Sequence, residues 1–238
     1  MKRHLLILLA ALASLAVCAA LALAVIERPE ARTDLPRVVA HSIEHAGAPH
    51  PITAVLLDFR SYDTLLEVAV LLVAVVVALA LREAQPDGPD RMGLDNPLLR
   101  AVMSWLLPLM VLVAAYLLWA GSTRPGGAFQ AAAVLAAAGV LLRLAGVRLG
   151  GFAGEGGARR LRALLVLGPT VFVAVGAGTA LGGRAFLDYP ADWAGGLILV
   201  IELALTLSIA LALLSLFRLA PPQSDVERLP ERRRRARE

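Results

Sequence analysis

Apolar residues run almost unbroken through six stretches of this chain, and polar residues gather between them. The stretches are Leu5–Ile26, Thr64–Leu81, Ala101–Gly121, Ala128–Gly146, Leu161–Leu181 and Gly195–Phe217. As a helix the first is about 33 Å long, enough to cross the roughly 30 Å hydrocarbon core of a bilayer. The expected fold is therefore all-α, a polytopic integral membrane protein of about six transmembrane helices. Pro108 and Pro169 lie inside two of the stretches, and Gly168, Gly176 and Gly178 accompany the second proline. Membrane helices accept such residues where neighbours re-satisfy the freed backbone groups, so kinks are expected there.

Basic residues orient the spans. With the N-terminus in the cytoplasm, the inside segments hold 17 of the 23 lysines and arginines and the outside segments hold 6. That asymmetry places both termini in the cytoplasm, as an even number of spans requires. A second reading exists for the first stretch. Its basic start and the small residues around Ala19-Ala20-Leu21-Ala22 also fit a cleaved signal peptide, although its apolar run exceeds the usual length.

The connectors mark the organisation. Gln85-Pro-Asp-Gly-Pro-Asp90 is a turn and linker signal, and it separates a two-helix module at 1–90 from a four-helix domain at 91–220. Residues 221–238 form a basic cytoplasmic tail. Gly150–Gly157 is glycine-rich but lacks a following Lys-Ser or Lys-Thr, which makes it a flexible loop rather than a phosphate cradle.

Composition narrows the chemistry. The chain is 58% hydrophobic and 18% charged, far from a soluble or a disordered protein. Its net charge of +4 does not indicate nucleic acid, because the arginines sit where they set topology. The single cysteine, Cys18, excludes an internal disulfide framework. His41 and His45 share a helical spacing but have no third ligand beside them, so no metal site is expected. No cofactor motif and no stand-alone catalytic motif is present.

Three constellations could carry function. Glu202 stands deep inside the last stretch, with Thr206 and Ser208 near it. An ionisable group there costs at least about 2.5–3.5 kcal/mol on insertion scales, so it is usually paired, hydrated or used for ion movement. Asp58, Arg60, Asp63 and Glu67 cluster at the mouth of the second stretch. On a continuous helix Arg60, Asp63 and Glu67 share a face, where the guanidinium meets both carboxylates, while Asp58 lies opposite unless the chain bends near Ser61. Two roles fit this cluster: a carboxylate chain for a proton or sodium ion, and an interfacial salt-bridge knot that fixes helix entry. Between the third and fourth stretches, Pro125-Gly126-Gly127 predicts a tight reversal with close backbone approach, followed by Phe129 and Gln130 at the start of the next helix. Packing, not catalysis, is its expected role.

These residues resemble two families. Thr53-Ala-Val-Leu-Leu-Asp-Phe-Arg-Ser-Tyr-Asp-Thr-Leu-Leu-Glu67 looks like the "NAILVDFRGFDTLGE" element near the C-terminal end of the large subunit of Mrp-type multisubunit cation/proton antiporters. The same element occurs in the corresponding small, MbhE-like subunit of membrane-bound hydrogenases. His50-Pro51 replaces the usual polar start. Residues 100–217 resemble the B subunit (MnhB) of the same antiporters. Its "PGGGFQGG" turn reads here Pro125-Gly126-Gly127-Ala128-Phe129-Gln130-Ala131-Ala132, with three glycines changed to alanine. Ile201-Glu202-Leu203-Ala204 stands where many B subunits have a Phe-Asp-Leu-Gly type of pattern.

The resemblance implies a fusion of the two modules in a multi-pass subunit of a cytoplasmic-membrane complex that exchanges Na⁺ for H⁺. Its partners would be the other subunits of that complex, the lipid bilayer and the two ions. Asp58, Asp63, Glu67 and Glu202 would act as ion or proton relays, and Arg60 would set the charge balance of its nearest carboxylates. Two other readings are carried with it: a component of a related redox-driven complex, such as a membrane-bound hydrogenase, and a purely structural assembly subunit.

Overall fold

The computed structural model describes residues 2–27, 34–83, 97–147 and 154–219. The expected linker at 85–90 and the tail at 221–238 lie outside them. Compactness divides the chain into two units, Met1–Val38 and Val39–Glu238. No strand occurs among the described residues.

The first unit is built on α1, Lys2–Ile26. Its side chains from Ala11 to Glu27 are exposed on every face. α2 follows as Leu35–Ser42.

In the second unit, α3 (Pro51–Ala54) runs into a π-helical turn, Val55–Phe59, and then α4, Ser61–Glu83. α5 is Pro97–Ala120, α6 Ala128–Leu144, α7 Gly154–Leu181 and α8 Ala194–Leu219. Four segments are long and apolar enough to cross a membrane: Ser61–Leu81, Pro97–Ala120, Gly156–Leu181 and Ala194–Phe217. Two apolar segments are shorter, Ala128–Leu144 and the described part of α1, Ala11–Ile26.

α8 is the centre of the second unit, with α4, α6 and α7 packed against it and α5 packed against α6. The reason is its unusually wide apolar face. Ile198, Ile201, Leu205 and Ile209 are almost fully buried, against Phe172 of α7, Val68 of α4 and Ala132 of α6. α6 offers small residues instead: Ala128, Ala131, Ala132, Ala136, Ala138 and Gly139 are buried. A β-carbon at Gly139 would lie 2.9 Å from Leu214 of α8. Small residues let backbones approach closely, which is how membrane helices gain packing where the solvent is itself apolar.

The glycine-rich connector at 150–157 departs from the expected loop. Gly154, Glu155, Gly156 and Gly157 form the first turn of α7. First-turn N–H groups lack intrahelical partners in any case, and Ala158-Arg-Arg-Leu-Arg-Ala163 supplies strong helix formers directly behind them.

α7 and α8 show how a proline inside a helix is accommodated. Pro169 has no N–H, so the Leu165 carbonyl four residues earlier loses its helical donor. The Ser208 hydroxyl of α8 donates to that carbonyl at 2.5 Å. Gly168 makes room for the approach: a β-carbon there would lie 2.9 Å from Ser208 Cβ and 3.1 Å from Leu205 Cα.

Candidate functional site: a buried carboxylate at a recessed helix end

The turn between α5 and α6 requires its glycines. Gly127 has φ +116°, a conformation that residues with a side chain rarely adopt. Its N–H donates to Leu117 O at 2.9 Å. A β-carbon at Gly126 would meet Leu117 O at 2.5 Å, and one at Gly121 would lie 2.7 Å from Gly127 Cα.

α6 therefore starts behind a glycine that has no side chain to cap it. The cap comes from another helix. Glu202 of α8 is buried, 3% exposed, and its carboxylate accepts the Ala128 N–H at the first position of α6. A β-carbon at Gly127 would lie 2.9 Å from Glu202 Oε1. An anion at a helix N-terminus satisfies a free donor and faces the positive end of the helix dipole. Glu202 lies eight residues into α8, about 12 Å from its start at 1.5 Å per residue. Thr206, one turn later, donates to Glu202 O at 2.7 Å.

The segment before α4 docks onto the same turn. Thr53 donates its hydroxyl to Gly121 O. The His50 N–H donates to Ser122 O at 3.0 Å. Thr53, Ala54 and Leu57 are buried. Thr53, Gly121, Gly127 and Glu202 thus form a continuous line of contacts from the α3 segment to the buried carboxylate.

The second expected cluster is divided. Helical phase breaks before α4: Arg60 N–H donates to Val55 O, five residues back, and Arg60 has φ −130° and ψ 35°. The Thr64 hydroxyl donates to Leu56 O at 2.6 Å and fastens the turn. Arg60 pairs with Asp63 at 2.6 Å. Glu67, one turn further on, is exposed and has no ion pair among the described residues. The expected bidentate bridge of Arg60 to both acids is therefore corrected to a single pair. The cause is the backbone of Arg60, whose non-helical φ and ψ leave it outside the helix that carries Asp63 and Glu67.

Asp58 turns away from that pair. Its Oδ2 accepts the Gly47 N–H at 3.1 Å. Gly47 in turn packs on Ala194 and Ile198 of α8, where a β-carbon would come within 2.6 and 2.8 Å. Asp58 precedes the span that starts at Ser61. Its burial pushes the carboxyl above the usual range, the Gly47 N–H pulls it back, and the Asp188 charge pushes it up again. Burial likewise pushes the Tyr189 phenol up, with the Asp58 charge adding to it. The loop that carries Asp188 and Tyr189 is set by Thr179, whose hydroxyl oxygen accepts the Leu187 N–H at 2.9 Å. Leu187 itself sits at φ +64°.

Of the turn residues, Gly126 and Gly127 take close contacts, while Pro125, Phe129 and Gln130 are exposed. Sequence reading missed Thr53 and Gly121 and did not pair Ser208 with Pro169. The only available signal was a proline in one apolar stretch and a serine in another.

Residues 98–218, half of the chain, match the family described as a domain related to the MnhB subunit of Na⁺/H⁺ antiporters. The chain belongs to this MnhB-related family. Residues 1–93 match a second family, MbhE, described as the E component of MBH. In the MnhB-type domain the buried Glu202 and the Pro125-Gly126-Gly127 turn are one structural feature. A protein of Rhizobium meliloti (strain 1021), named as the probable A/B subunit of a K⁺/H⁺ antiporter, is 28% identical over 198 residues. That match takes in 71% of this chain but 19% of the relative, so the chain spans about a fifth of the relative's length. Among solved structures, the Mrp complex from Dietzia sp. DQ12-45-1b contains a similar chain, with a TM-score of 0.60 and 22% identity. The match covers 92% of this chain and 26% of that one. The membrane-bound sulfane sulfur reductase, an archaeal respiratory membrane complex, contains another, with a TM-score of 0.64 and 22% identity. Here 89% of this chain and 96% of that one are covered. Both likenesses are of fold.

Proposed function

We propose that this chain is a membrane subunit of an Mrp-like multisubunit cation/proton antiporter, working as part of a transporter and not as a stand-alone enzyme. In this reading it crosses the cytoplasmic membrane six times, with both termini inside. It joins a two-helix module (1–90) to a four-helix domain (91–220), with a basic tail at 221–238. The observation that carries the reading is Glu202: a buried carboxylate eight residues into an apolar helix, seated on the glycine turn of an MnhB-type domain. Such a group is expensive in a bilayer and marks ion pathways.

The proposed route uses Asp58, Asp63, Glu67 and Glu202, with Arg60 balancing Asp63. Na⁺ is the first cation to test and K⁺ the second, because K⁺ is the ion in the relative's name. The deciding experiment is cation-dependent proton flux in vesicles that contain the whole complex, wild type against Glu202→Gln, with assembly followed on native gels. Lost flux from an intact complex supports the route; unchanged flux reduces the chain to a scaffold. A second reading, a component of a redox-driven ion-pumping complex, draws support from the full-length likeness to a chain of a respiratory membrane complex. It predicts wild-type flux that follows electron transfer and ignores a cation gradient.

A further inference from the structure

α4 buries one face and leaves the other open. Ser61, Thr64, Val68 and Val75 are buried, while Leu66, Val70, Val73 and Val77 are exposed. The exposed set is spaced four, three and four residues apart, the seam on which two membrane helices cross at a shallow angle. Glu67 stands beside this seam, six residues after the span begins, about 9 Å along the helix. It is exposed, and Arg60, the cation nearest in sequence, is engaged by Asp63. A carboxylate on an outward apolar face is badly placed against lipid, and ionisable groups in spans face protein or water and pair with a partner.

We propose that this face of α4 is a docking surface for a membrane helix of another subunit, which presents a Lys, Arg or His side chain to Glu67. The proposal rests on the reading of the chain as one part of a multisubunit complex. A second copy of this chain is the wrong partner for a face-to-face contact, because it would set Glu67 against a second Glu67 while Asp63 engages each Arg60. The apolar seam supplies packing; the carboxylate supplies register and choice of partner.

The test uses the whole complex in its membrane, with a photo-crosslinking side chain placed at Val70 and, separately, at Val73. The expected product is one adduct with a single other protein of the complex. Its attached peptide should lie in a hydrophobic segment with Lys, Arg or His within one helical turn. Glu67→Arg should then lower recovery of that protein with the complex at least tenfold, and replacing the partner's cation by Glu should restore it. Adducts with lipid alone overturn the proposal, as does an attached helix without a cation, or recovery unchanged by Glu67→Arg. A chain that purifies with no other protein bound overturns the complex reading itself, which separates the two failures.

Discussion

α8 and α4 are both apolar helices with carboxylates inside the span, Glu202 in one and Asp63 and Glu67 in the other, yet they treat them differently. In α8, 61% of the apolar window is buried; in α4, 17%. Glu202 of α8 finds its donor within the chain, at Ala128, and Thr206 and Ser208 find acceptors at Glu202 O and Leu165 O. Glu67 of α4 stands on the open side. The same residue type is fastened inside the chain in one helix and faces outward in the other. What decides is which face the helix turns to its neighbours, not how hydrophobic its sequence is.

The strongest way to break this contrast is to displace Glu202 from its seat. Gly127→Val forces a side chain into φ +116° and puts its β-carbon 2.9 Å from Glu202 Oε1. Strain and crowding together should cost about 3 kcal/mol. In detergent the purified chain should lose thermal stability sharply, whereas Val70→Ala on the open face of α4 should change it little. Glu202 itself comes next. Glu202→Leu removes the acceptor and should cost about 2 kcal/mol, the upper end for a lost cap. Glu202→Gln keeps an amide oxygen for the Ala128 N–H and should keep most of the stability. Equal losses in the two variants would mean that charge, not capping, is what α6 needs.

How much of this was legible follows from the same contrast. Six apolar stretches were visible because length and composition are local, and the α5–α6 reversal was visible because Pro125-Gly126-Gly127 has few alternatives. Glu202 was also visible as out of place. Its partner was not: the Ala128 N–H is a backbone group in another helix, and no spacing in the sequence encodes that meeting. The face shared by Arg60, Asp63 and Glu67 failed for a different reason. Periodicity assumes a continuous helix, and Arg60, at φ −130° and ψ 35°, interrupts it immediately ahead of α4. The phase read through Arg60 therefore does not carry into α4.

The α7–α8 contact sharpens the picture of α8 as the helix that completes its neighbours. Ser208→Ala should cost about 1 kcal/mol, because it leaves the Leu165 carbonyl without a donor. The informative experiment is the double-mutant cycle. Pro169→Ala restores an N–H that can reach Leu165 O within α7, so Ser208→Ala should be nearly silent in that background. A coupling close to zero would show that the hydroxyl serves packing at Gly168 and not the proline's orphaned acceptor.

Asp58 is the intermediate case, outside the spans and half-buried, and it should give the smallest effect. Its folded-state pKa is raised, chiefly by burial, so the native state holds the proton more tightly than the unfolded chain does. The sign follows from linkage. The contribution of Asp58 to stability is fully present below the unfolded carboxyl value, and it falls as pH rises through the raised one. Asp58→Asn removes the titration while leaving an amide oxygen for the Gly47 N–H. Melting temperatures of the two proteins should therefore coincide near pH 3.5–4, roughly the unperturbed Asp range, and separate above it with the variant the more stable. The opposite separation, with wild type ahead at neutral pH, would mean that the Gly47 N–H outweighs burial. Asp58 would then be a carboxylate that the fold prefers charged.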